Sequence, residues 1–342
     1  MAPFDDRVLR ALRRTPVDRT PVWFMRQAGR YLPEYRELRG DRDILETIRE
    51  PEQVAELTLQ PLRRMAVDAA ILFGDIVTPL AALGVPIRIE AGRGPVLEEP
   101  LRSAADVDRL ARREVEEIPY VVESIQLLRK ELRVPLIGFA SAPFTLATYL
   151  VEGGASRTFS RTKALMHERD WSRLMDALVG ITAPYLRSQV AAGVQALQIF
   201  DSWAGALDPD DYLTFAAPFT KQLFEGLADL EVPTIHFGVG TGELLALMRD
   251  AGGDAIGVDW RTPLGAAWER VGGPGSVAIQ GNLDPAALLG PWETVRRKAS
   301  RVLEEARGRV GHVFNLGHGV LPETPVEHVQ RLVDFVHEET AR

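Results

Sequence analysis

Two arginines in one short segment are the strongest chemical signal in the sequence. Arg26 directly follows an apolar run, and Arg30 lies four residues after Arg26. Between them lie three small or polar residues, Gln27, Ala28 and Gly29. A guanidinium pairs bidentately with a carboxylate or phosphate, and the residues between the arginines favour a turn whose backbone N–H groups add further donors. The pattern indicates a binding site for an anionic substrate. The alternative is a solvated loop whose arginines pair with nearby acids such as Glu34 and Glu37.

Asp75 is the second candidate for chemistry. It ends another apolar run, in the segment LFGDI, with Phe73 and Ile76 nearby. A carboxylate in such apolar surroundings is poorly solvated and attracts a cation or N–H donors. The alternatives are that Asp75 caps the turn that follows it or pairs with one of the arginines.

Three further side chains could contact a ligand. His318 lies between two glycines in NLGHG, where the backbone can approach a ligand closely, although a single histidine is equally consistent with a structural role. Tyr149, in FTLATYLVEGG, and Ser202, in IFDSWAG, are hydroxyl donors that we expect in loops. Neither segment contains G-x-S-x-G, which argues against a serine hydrolase.

Composition excludes several other chemistries. The 342 residues include no cysteine, which excludes thiolate nucleophiles, disulfides and cysteine-ligated metals, and there is no HExxH segment. We therefore predict no metal site. The lysines, Lys130, Lys163, Lys221 and Lys298, all fall in predicted helices, which argues against a Schiff base at the strand ends of a barrel.

Charge and hydropathy bear on partners and location. The net charge is −8, which speaks against nucleic acid or an anionic membrane as a partner. No apolar run approaches the roughly 20 residues that span a bilayer, and the first fifteen residues lack the apolar stretch of a signal peptide. We expect a cytoplasmic protein.

The elements that must position these residues alternate along the chain. Eight apolar runs resemble strands buried on both faces, at 21–25, 68–74, 134–140, 196–201, 233–238, 255–260, 277–281 and 312–316. Helical patterns lie at about 52–65, 104–132, 155–192, 210–230, 242–251, 263–272, 285–308 and 325–340.

Eight alternations of strand and helix in a chain of this length favour an α/β fold of the (β/α)8 barrel type over an open sheet. The segment 87–100 has β character around a glycine-rich turn and predicts a β-hairpin inserted after strand 2. No linker or repeat interrupts the pattern, so residues 1–342 are expected to form a single domain. Because barrel active sites lie at the carboxyl ends of the strands, Arg26, Asp75 and His318 are expected at one end of the barrel.

Six segments, taken in order, resemble the uroporphyrinogen decarboxylase family. They are PVWFMRQAGRYLPEYR (21–36), LFGDI (72–76), GFASAPFTLATYLVEGG (138–154), IFDSWAG (199–205), QGNLDP (280–285) and NLGHG (315–319). The resemblance extends from about residue 3 to residue 338. It implies a (β/α)8 barrel, usually a homodimer, that converts uroporphyrinogen III to coproporphyrinogen III by removing four acetate carboxyl groups as CO2, without a metal, flavin or pyridoxal cofactor.

The same resemblance implies roles for individual residues. Asp75 matches a central aspartate that accepts hydrogen bonds from the pyrrole N–H groups and stabilises a ring cation. Arg26 matches a residue near the reacting acetate, and the general acid stays open between this arginine, a water that it holds and another residue. Substrate binding is implied for Arg26, Gln27, Ala28, Gly29, Arg30, Asp75, Tyr149, Ser202 and His318.

Two other functions are weighed against this one. Related barrels include corrinoid-linked methyltransferases, which typically bind zinc through cysteine and histidine, and this chain has no cysteine. A tetrapyrrole carrier without activity is the second alternative. The joint presence of Arg26, Asp75, Tyr149 and His318 argues against it.

Overall fold

A computed structural model describes residues 3–90, 92–113, 117–273 and 275–342. The strands are β1 (Ala70–Ile71), β2 (Ile87–Glu90), β3 (Gly94–Leu97), β4 (Leu136–Ser141), β5 (Ala196–Asp201), β6 (Thr234–Gly238), β7 (Ala255–Gly257), β8 (Ala278–Gln280) and β9 (His312–Val313). The helices are α1 (Arg7–Leu12), α2 (Pro33–Arg39), α3 (Ile44–Thr47), α4 (Pro51–Arg64), α5 (Thr78–Ala82), α6 (Ala104–Ala111), α7 (Pro119–Glu131), α8 (Pro143–Glu152), α9 (Ser160–Met166), α10 (Asp170–Ala192), α11 (Pro209–Asp211), α12 (Ala217–Glu225), α13 (Leu245–Ala251), α14 (Leu264–Arg270), α15 (Trp292–Ala306) and α16 (Val326–Thr340).

Seven of the strands form one parallel sheet in the order β1-β4-β5-β6-β7-β8-β9. The segment 21–24 lies between the two edges of this sheet. Val22 bridges to Phe314 in parallel, and Trp23 N donates to Phe314 O (3.3 Å). On the other side Asp68 N donates to Val22 O (2.7 Å). The predicted barrel is therefore confirmed, with this segment in the eighth position.

The first apolar run forms only this bridge, whereas the sequence predicted a full strand. The reason is that its N–H groups have other partners. Pro21 has no N–H group at all. The N–H groups of three other residues donate to side-chain oxygens: Val22 N to Asp68, Phe24 N to Gln27 and Met25 N to Asn315. Side-chain acceptors thus replace part of the ladder on this side of the barrel.

The barrel interior is filled by side chains, as expected for strands covered on both faces. All six residues of β4 and all five of β6 are buried. A polar chain also crosses the interior: Trp23 Nε1 donates to Gln280 Oε1 (3.0 Å), and Gln280 Nε2 donates to Gln198 Oε1 (2.8 Å). These bonds connect the first segment, β8 and β5, so the closing segment is fixed from inside as well as at its edges.

The predicted hairpin is confirmed. β2 and β3 pair in antiparallel register, with Ile87 opposite Leu97 and Glu90 opposite Gly94. Its position, between β1 and β4, is the one that the sequence predicted. Ala91, within the turn, lies outside the described residues.

The helical prediction was incomplete at α8, and it is there that Tyr149 lies, not in a loop. Nine of the ten residues of this helix are buried. A helix that is covered on all sides shows no amphipathic period, so its sequence resembled a loop between two strands. Pro143 at its first turn and Gly153 (φ +86°) after its last residue are ordinary signals for the start and end of a helix.

Two predicted long helices are each divided in two. The pattern over 104–132 contains α6 and α7, and α7 starts with Pro119; residues 114–116 lie outside the described part of the chain. The pattern over 155–192 contains α9 and α10. No helix in the described ranges is long and apolar enough to cross a membrane.

Candidate active site

The candidate residues lie where the strands end at their carboxyl side. Arg26 follows the closing segment, Asp75 follows β1, Ser202 follows β5, and His318 follows β9. Tyr149 reaches the same region from the last turn of α8. The charges of Arg26 and Asp75 both act on the pKa of Tyr149, and the charge of Arg26 acts on the pKa of Asp75 and of His318. Four of these side chains are therefore close enough to interact electrostatically, and Ser202 lies at the same end of the barrel, which we call the cleft.

Arg26 is held in an unusual backbone conformation. Its φ is +57°, which non-glycine residues adopt rarely and at a cost that is often found at functional sites. The residue is exposed, and its aliphatic stem packs on the backbone of Gly319. A Cβ at position 319 would lie 2.5 Å from Arg26 Cδ. This glycine therefore accommodates the arginine, whereas the sequence indicated close approach to a ligand.

The loop between the two arginines is anchored by Gln27. The side chain of Gln27 is fully buried; its Oε1 accepts from Phe24 N (3.2 Å) and its Nε2 donates to Ala69 O (3.1 Å). Gln27 O in turn accepts from the Tyr31 hydroxyl (2.7 Å). The side chain is thus occupied inside the protein, and Gln27 supports the loop from below.

The rest of the arginine loop is more accessible to solvent than Gln27. Ala28 and Gly29 are half-buried, and Arg30 is exposed. Among the described residues neither Arg26 nor Arg30 forms an ion pair. Glu34, suggested by the sequence as a partner, pairs instead with Arg64 (2.7 Å). Both guanidinium groups are therefore available to an anionic ligand.

Asp75 is half-buried and directly follows Gly74 after β1. Its Oδ1 accepts from Val77 N (3.1 Å), so the capping role considered from the sequence exists. Burial nevertheless raises the pKa of the carboxyl above its usual range, opposed by this N–H group and by the positive charge of Arg26. The carboxylate therefore has more capacity for donors and positive charge than its surroundings supply, because within the described part of the chain Oδ2 accepts no hydrogen bond.

Tyr149 is a buried donor beside this carboxylate. Burial, followed by the negative charge of Asp75, raises the pKa of its hydroxyl to about 12. The phenol therefore keeps its proton at physiological pH and can donate to a carboxylate. Its ring packs edge-on against Trp203, with 5.7 Å between centroids.

His318 is a donor that carries no charge at physiological pH. Burial, with help from the positive charges of Arg26 and Arg261, lowers the pKa of the imidazole to about 4. Its Nδ1 accepts from Gly319 N (2.8 Å), so in the neutral ring the hydrogen is on Nε2. His318 can therefore donate one hydrogen bond without carrying a charge.

Ser202 is half-buried, in the turn between Asp201 and Trp203. The turn is held by Trp203 N, which donates to Thr145 Oγ1 (3.1 Å). The structure thus places the predicted residues at the carboxyl end of the barrel, and the side chain of Gln27 is hydrogen-bonded inside the protein.

One group of residues was not assigned a role from the sequence. After β7, the Arg261 guanidinium stacks on the Trp260 ring at 4.0 Å and pairs with Asp259 (2.5 Å). Trp260 in turn lies edge-on to His318, with 6.4 Å between ring centroids. The only available signal was position, since these residues directly follow an apolar run.

In the described ranges, no three His, Asp or Glu side chains are grouped closely enough to hold a metal ion. The residues predicted from the sequence supply two cationic side chains, one carboxylate and neutral donors. Such a set can bind a polycarboxylate at its edge and stabilise a positive charge at its centre.

Comparison with known proteins agrees with this chemistry. The family model for uroporphyrinogen decarboxylase matches residues 3–339. A protein of Salinispora tropica named uroporphyrinogen decarboxylase is 54% identical over 343 residues, covering 99% of this chain and 92% of that protein. A protein of the same name from Streptomyces coelicolor is 54% identical over 344 residues, covering 100% of this chain and 96% of that protein.

Among solved structures, a methyltransferase from Methanosarcina mazei superimposes with a TM-score of 0.79 at 24% identity, covering 97% of this chain and 98% of that chain. At this identity the similarity shows a shared barrel fold and nothing about activity. The match of the family model over nearly the whole length, together with relatives at 54% identity, shows that this chain belongs to the uroporphyrinogen decarboxylase family of carboxy-lyases.

Proposed function

We propose that the chain removes the four acetate carboxyl groups of uroporphyrinogen III as CO2 and releases coproporphyrinogen III, with Asp75 and Arg26 as its catalytic residues. The observation that carries this proposal is the pair itself: a carboxylate whose pKa is raised by burial lies in the same cleft as a guanidinium without an ion-pair partner in the described chain. A substrate with pyrrole N–H groups at its centre and carboxylates at its edge matches both.

The reaction requires a place for the electrons that remain when the C–CO2 bond breaks. Protonation of a pyrrole α-carbon makes the ring cationic, and the electron pair of the broken bond then moves into this ring. A proton added to the resulting methylene carbon gives a methyl group on a ring that is again cationic, and loss of the proton from the α-carbon then regenerates the neutral pyrrole. The substrate itself thus serves as the electron acceptor, and we propose that no cofactor takes part.

Asp75 acts on this cycle through its charge. Pyrrole N–H groups donate to the carboxylate, and the ring cation forms beside it in a site of low polarity, where a fixed negative charge stabilises the transition state strongly. The same contacts lower the pKa of Asp75 from its raised value in the free protein, so that binding favours the ionised form. The cost of burying the carboxylate is in this way recovered when the cation develops.

Arg26 binds the acetate that reacts. Its strained backbone and the contact of its stem with Gly319 fix the direction of the guanidinium. Arginine is a poor proton donor at neutral pH, so we assign it the orientation of the carboxylate and leave proton delivery to a water that it holds or to another group.

The remaining residues bind the edge of the macrocycle. Arg30 provides a second cation, and Ala28 and Gly29 shape the loop that Gln27 anchors. Tyr149, Ser202 and His318 donate neutral hydrogen bonds to carboxylates or to Asp75. Each bond to a charged group is worth about 1.5–3 kcal/mol when the partners are well placed.

The decisive experiment uses purified protein after treatment with a chelator. It is incubated with uroporphyrinogen III without oxygen, and the products are oxidised and separated by their number of carboxyl groups. We expect porphyrins with seven, six, five and four carboxyl groups. If all eight carboxyl groups remain while the macrocycle still binds, the protein is a carrier and the proposed activity is wrong.

We further propose that the chain is one domain and acts as a homodimer in the cytoplasm, as the family resemblance implies. One continuous cluster of buried apolar residues, from Val8 to Val336, supports the single domain. A single cooperative unfolding transition would agree with it. Light scattering tests the dimer, which has twice the 37.8 kDa mass of the chain, and fractionation of the source cells tests the location.

A further inference from the structure

A buried hydrogen-bond junction lies behind the wall of the cleft that contains Tyr149 and Ser202. Its centre is Thr145, on α8, one helical turn before Tyr149. The Thr145 hydroxyl donates to Asp201 Oδ1 (3.1 Å) and accepts from Trp203 N (3.1 Å). One side chain therefore connects the helix that carries Tyr149 to both neighbours of Ser202.

Asp201 is the last residue of β5 and is fully buried. Its second oxygen, Oδ2, lies 3.7 Å from Nε2 of His236, which is also fully buried. A buried carboxylate is costly unless it is compensated, and the Thr145 hydroxyl is its hydrogen-bond donor in the described part of the chain. The fold therefore retains a buried carboxylate at a cost in stability, which the hydrogen bond from Thr145 offsets only in part.

The junction also fixes an aromatic contact. Because its backbone N–H is bound by Thr145, Trp203 is held with its ring 5.7 Å from that of Tyr149 and 5.4 Å from that of Phe159. Tyr149 is thus positioned from two directions: by its own helix, through Thr145, and by the Trp203 ring. Ser202 lies between the two residues that Thr145 binds.

We propose that Thr145 and Asp201 are positioning residues, which set the separation between Tyr149 and Ser202 and thereby the affinity of the cleft for the carboxylates of its substrate. This inference rests on the substrate-binding roles proposed above for Tyr149 and Ser202. Both residues are fully buried, so they act through the geometry of these two side chains and not by contact with substrate. Supporting hydrogen bonds of this kind hold site residues in their productive orientation.

Thr145→Val tests the proposal, because valine keeps the shape of threonine and removes both hydrogen bonds. We expect KM for uroporphyrinogen III to rise about tenfold, which corresponds to the loss of one hydrogen bond between the protein and the substrate. We expect kcat to stay within about threefold of the wild-type value. Thr145→Ser, which keeps the hydroxyl, should restore KM to within about twofold of the wild-type value.

The same helix offers a matched control in Thr148. Its side chain is equally buried, but its hydroxyl donates to Phe144 O within the helix (2.9 Å). Thr148→Val should therefore leave KM unchanged although it also exchanges a buried hydroxyl for a methyl group. An equal rise of KM in both valine variants would mean a general loss of packing and would overturn the proposal, as would a wild-type KM in Thr145→Val. If Thr145→Val does not fold, Thr145→Ala and Thr145→Ser decide the question in the same way.

A binding measurement separates this inference from the proposed activity. Uroporphyrin, the oxidised macrocycle, is titrated against each variant by fluorescence in the absence of turnover. We expect Thr145→Val to bind it about tenfold more weakly than the wild type and Thr148→Val to bind it equally well. If the wild type binds uroporphyrin with this pattern but does not decarboxylate uroporphyrinogen, the proposed activity fails and the positioning role stands; equal binding by the wild type and Thr145→Val overturns the positioning role.

Discussion

Asp68 precedes β1 and Asp75 follows it, so the two aspartates lie at opposite ends of the barrel and allow the carboxylate environments of these ends to be compared. Asp68, before the strand, is almost completely buried at 1% exposure. Its carboxylate accepts from Val22 N (2.7 Å) and Arg19 Nη2 (3.0 Å) and lies 2.6 Å from His337 Nε2. Asp75, after the strand, is more exposed and accepts a single hydrogen bond of ordinary geometry in the described chain, from Val77 N.

The deeper aspartate is therefore the better satisfied one. Asp68 joins the closing segment, β1 and the C-terminal helix α16, and its hydrogen-bonding capacity is used by the protein. At Asp75 burial raises the pKa, and much of the capacity is left for a ligand. The difference teaches that a carboxylate indicates a functional site when the protein supplies too few hydrogen-bond donors and cations for it, and that its degree of burial alone does not indicate one.

The largest expected effect is on activity at Asp75. Asp75→Asn keeps the shape and removes the negative charge that stabilises the ring cation, so we expect transition-state stabilisation to fall by more than about 2.7 kcal/mol, or about a hundredfold in kcat. Because burial disfavours the charged form, the variant should unfold at no lower urea concentration than the wild type. Near-normal turnover would remove Asp75 from its catalytic role.

The counterpart at the other end is Asp68→Asn. It replaces one charge-assisted acceptor oxygen by an amide and weakens the bonds to Arg19 and His337, so we expect the free energy of unfolding to fall by about 2 kcal/mol. The folded variant should keep kcat and KM close to the wild-type values. A selective loss of kcat without a change in the urea midpoint would contradict the division between the two ends.

A smaller effect is expected at the edge of the cleft. Arg30→Ala removes a cation that binds a peripheral carboxylate in both the ground state and the transition state. KM should rise about tenfold and kcat should change little, as measured by steady-state kinetics. An effect on kcat alone would assign Arg30 to the chemical step.

An effect confined to acidic pH is expected at His318. Burial lowers its pKa from 6.5 to about 4, so the folded protein binds fewer protons at this site than the unfolded chain between these values. This contribution to stability is complete above pH 6.5 and is lost as pH falls towards about 4. His318→Gln should abolish this pH dependence, because glutamine does not titrate. As pH falls from 6.5 to 4, the free energy of unfolding of the variant, measured in urea, should therefore increase relative to that of the wild type. A constant difference across this range would mean that His318 is not desolvated.

Much of the site was predictable because parallel strands bring their carboxyl ends together. Arg26, Asp75 and His318 each follow an apolar run, and this position alone places them at one end of a barrel. Arg261 follows such a run as well but was not assigned a role, since its stacking on Trp260 depends on side-chain directions that spacing does not reveal.

Other features could not be predicted, for definite reasons. The helix that carries Tyr149 has no amphipathic period because it is buried on all sides. Gln27 seemed to belong with its neighbours in the arginine loop, but its acceptor and donor are used by Phe24 and Ala69. The glycine after His318 serves the stem of Arg26, a residue near the other end of the chain.

The sequence by itself determined the alternation of strand and helix and the residue types at the strand ends, because both depend on short-range pattern and on the direction of parallel strands. It also restricted the chemistry, through two arginines in one loop and the absence of cysteine. Only the tertiary structure decided that the hydrogen-bonding capacity of Asp68 is used within the protein and that much of the capacity of Asp75 is left for a ligand. The partners of Asp68 are 46, 49 and 269 residues away, and the burial that shifts the pKa of Asp75 likewise comes from the surrounding fold. Desolvation and hydrogen bonding are properties of neighbours in space, which local sequence does not specify.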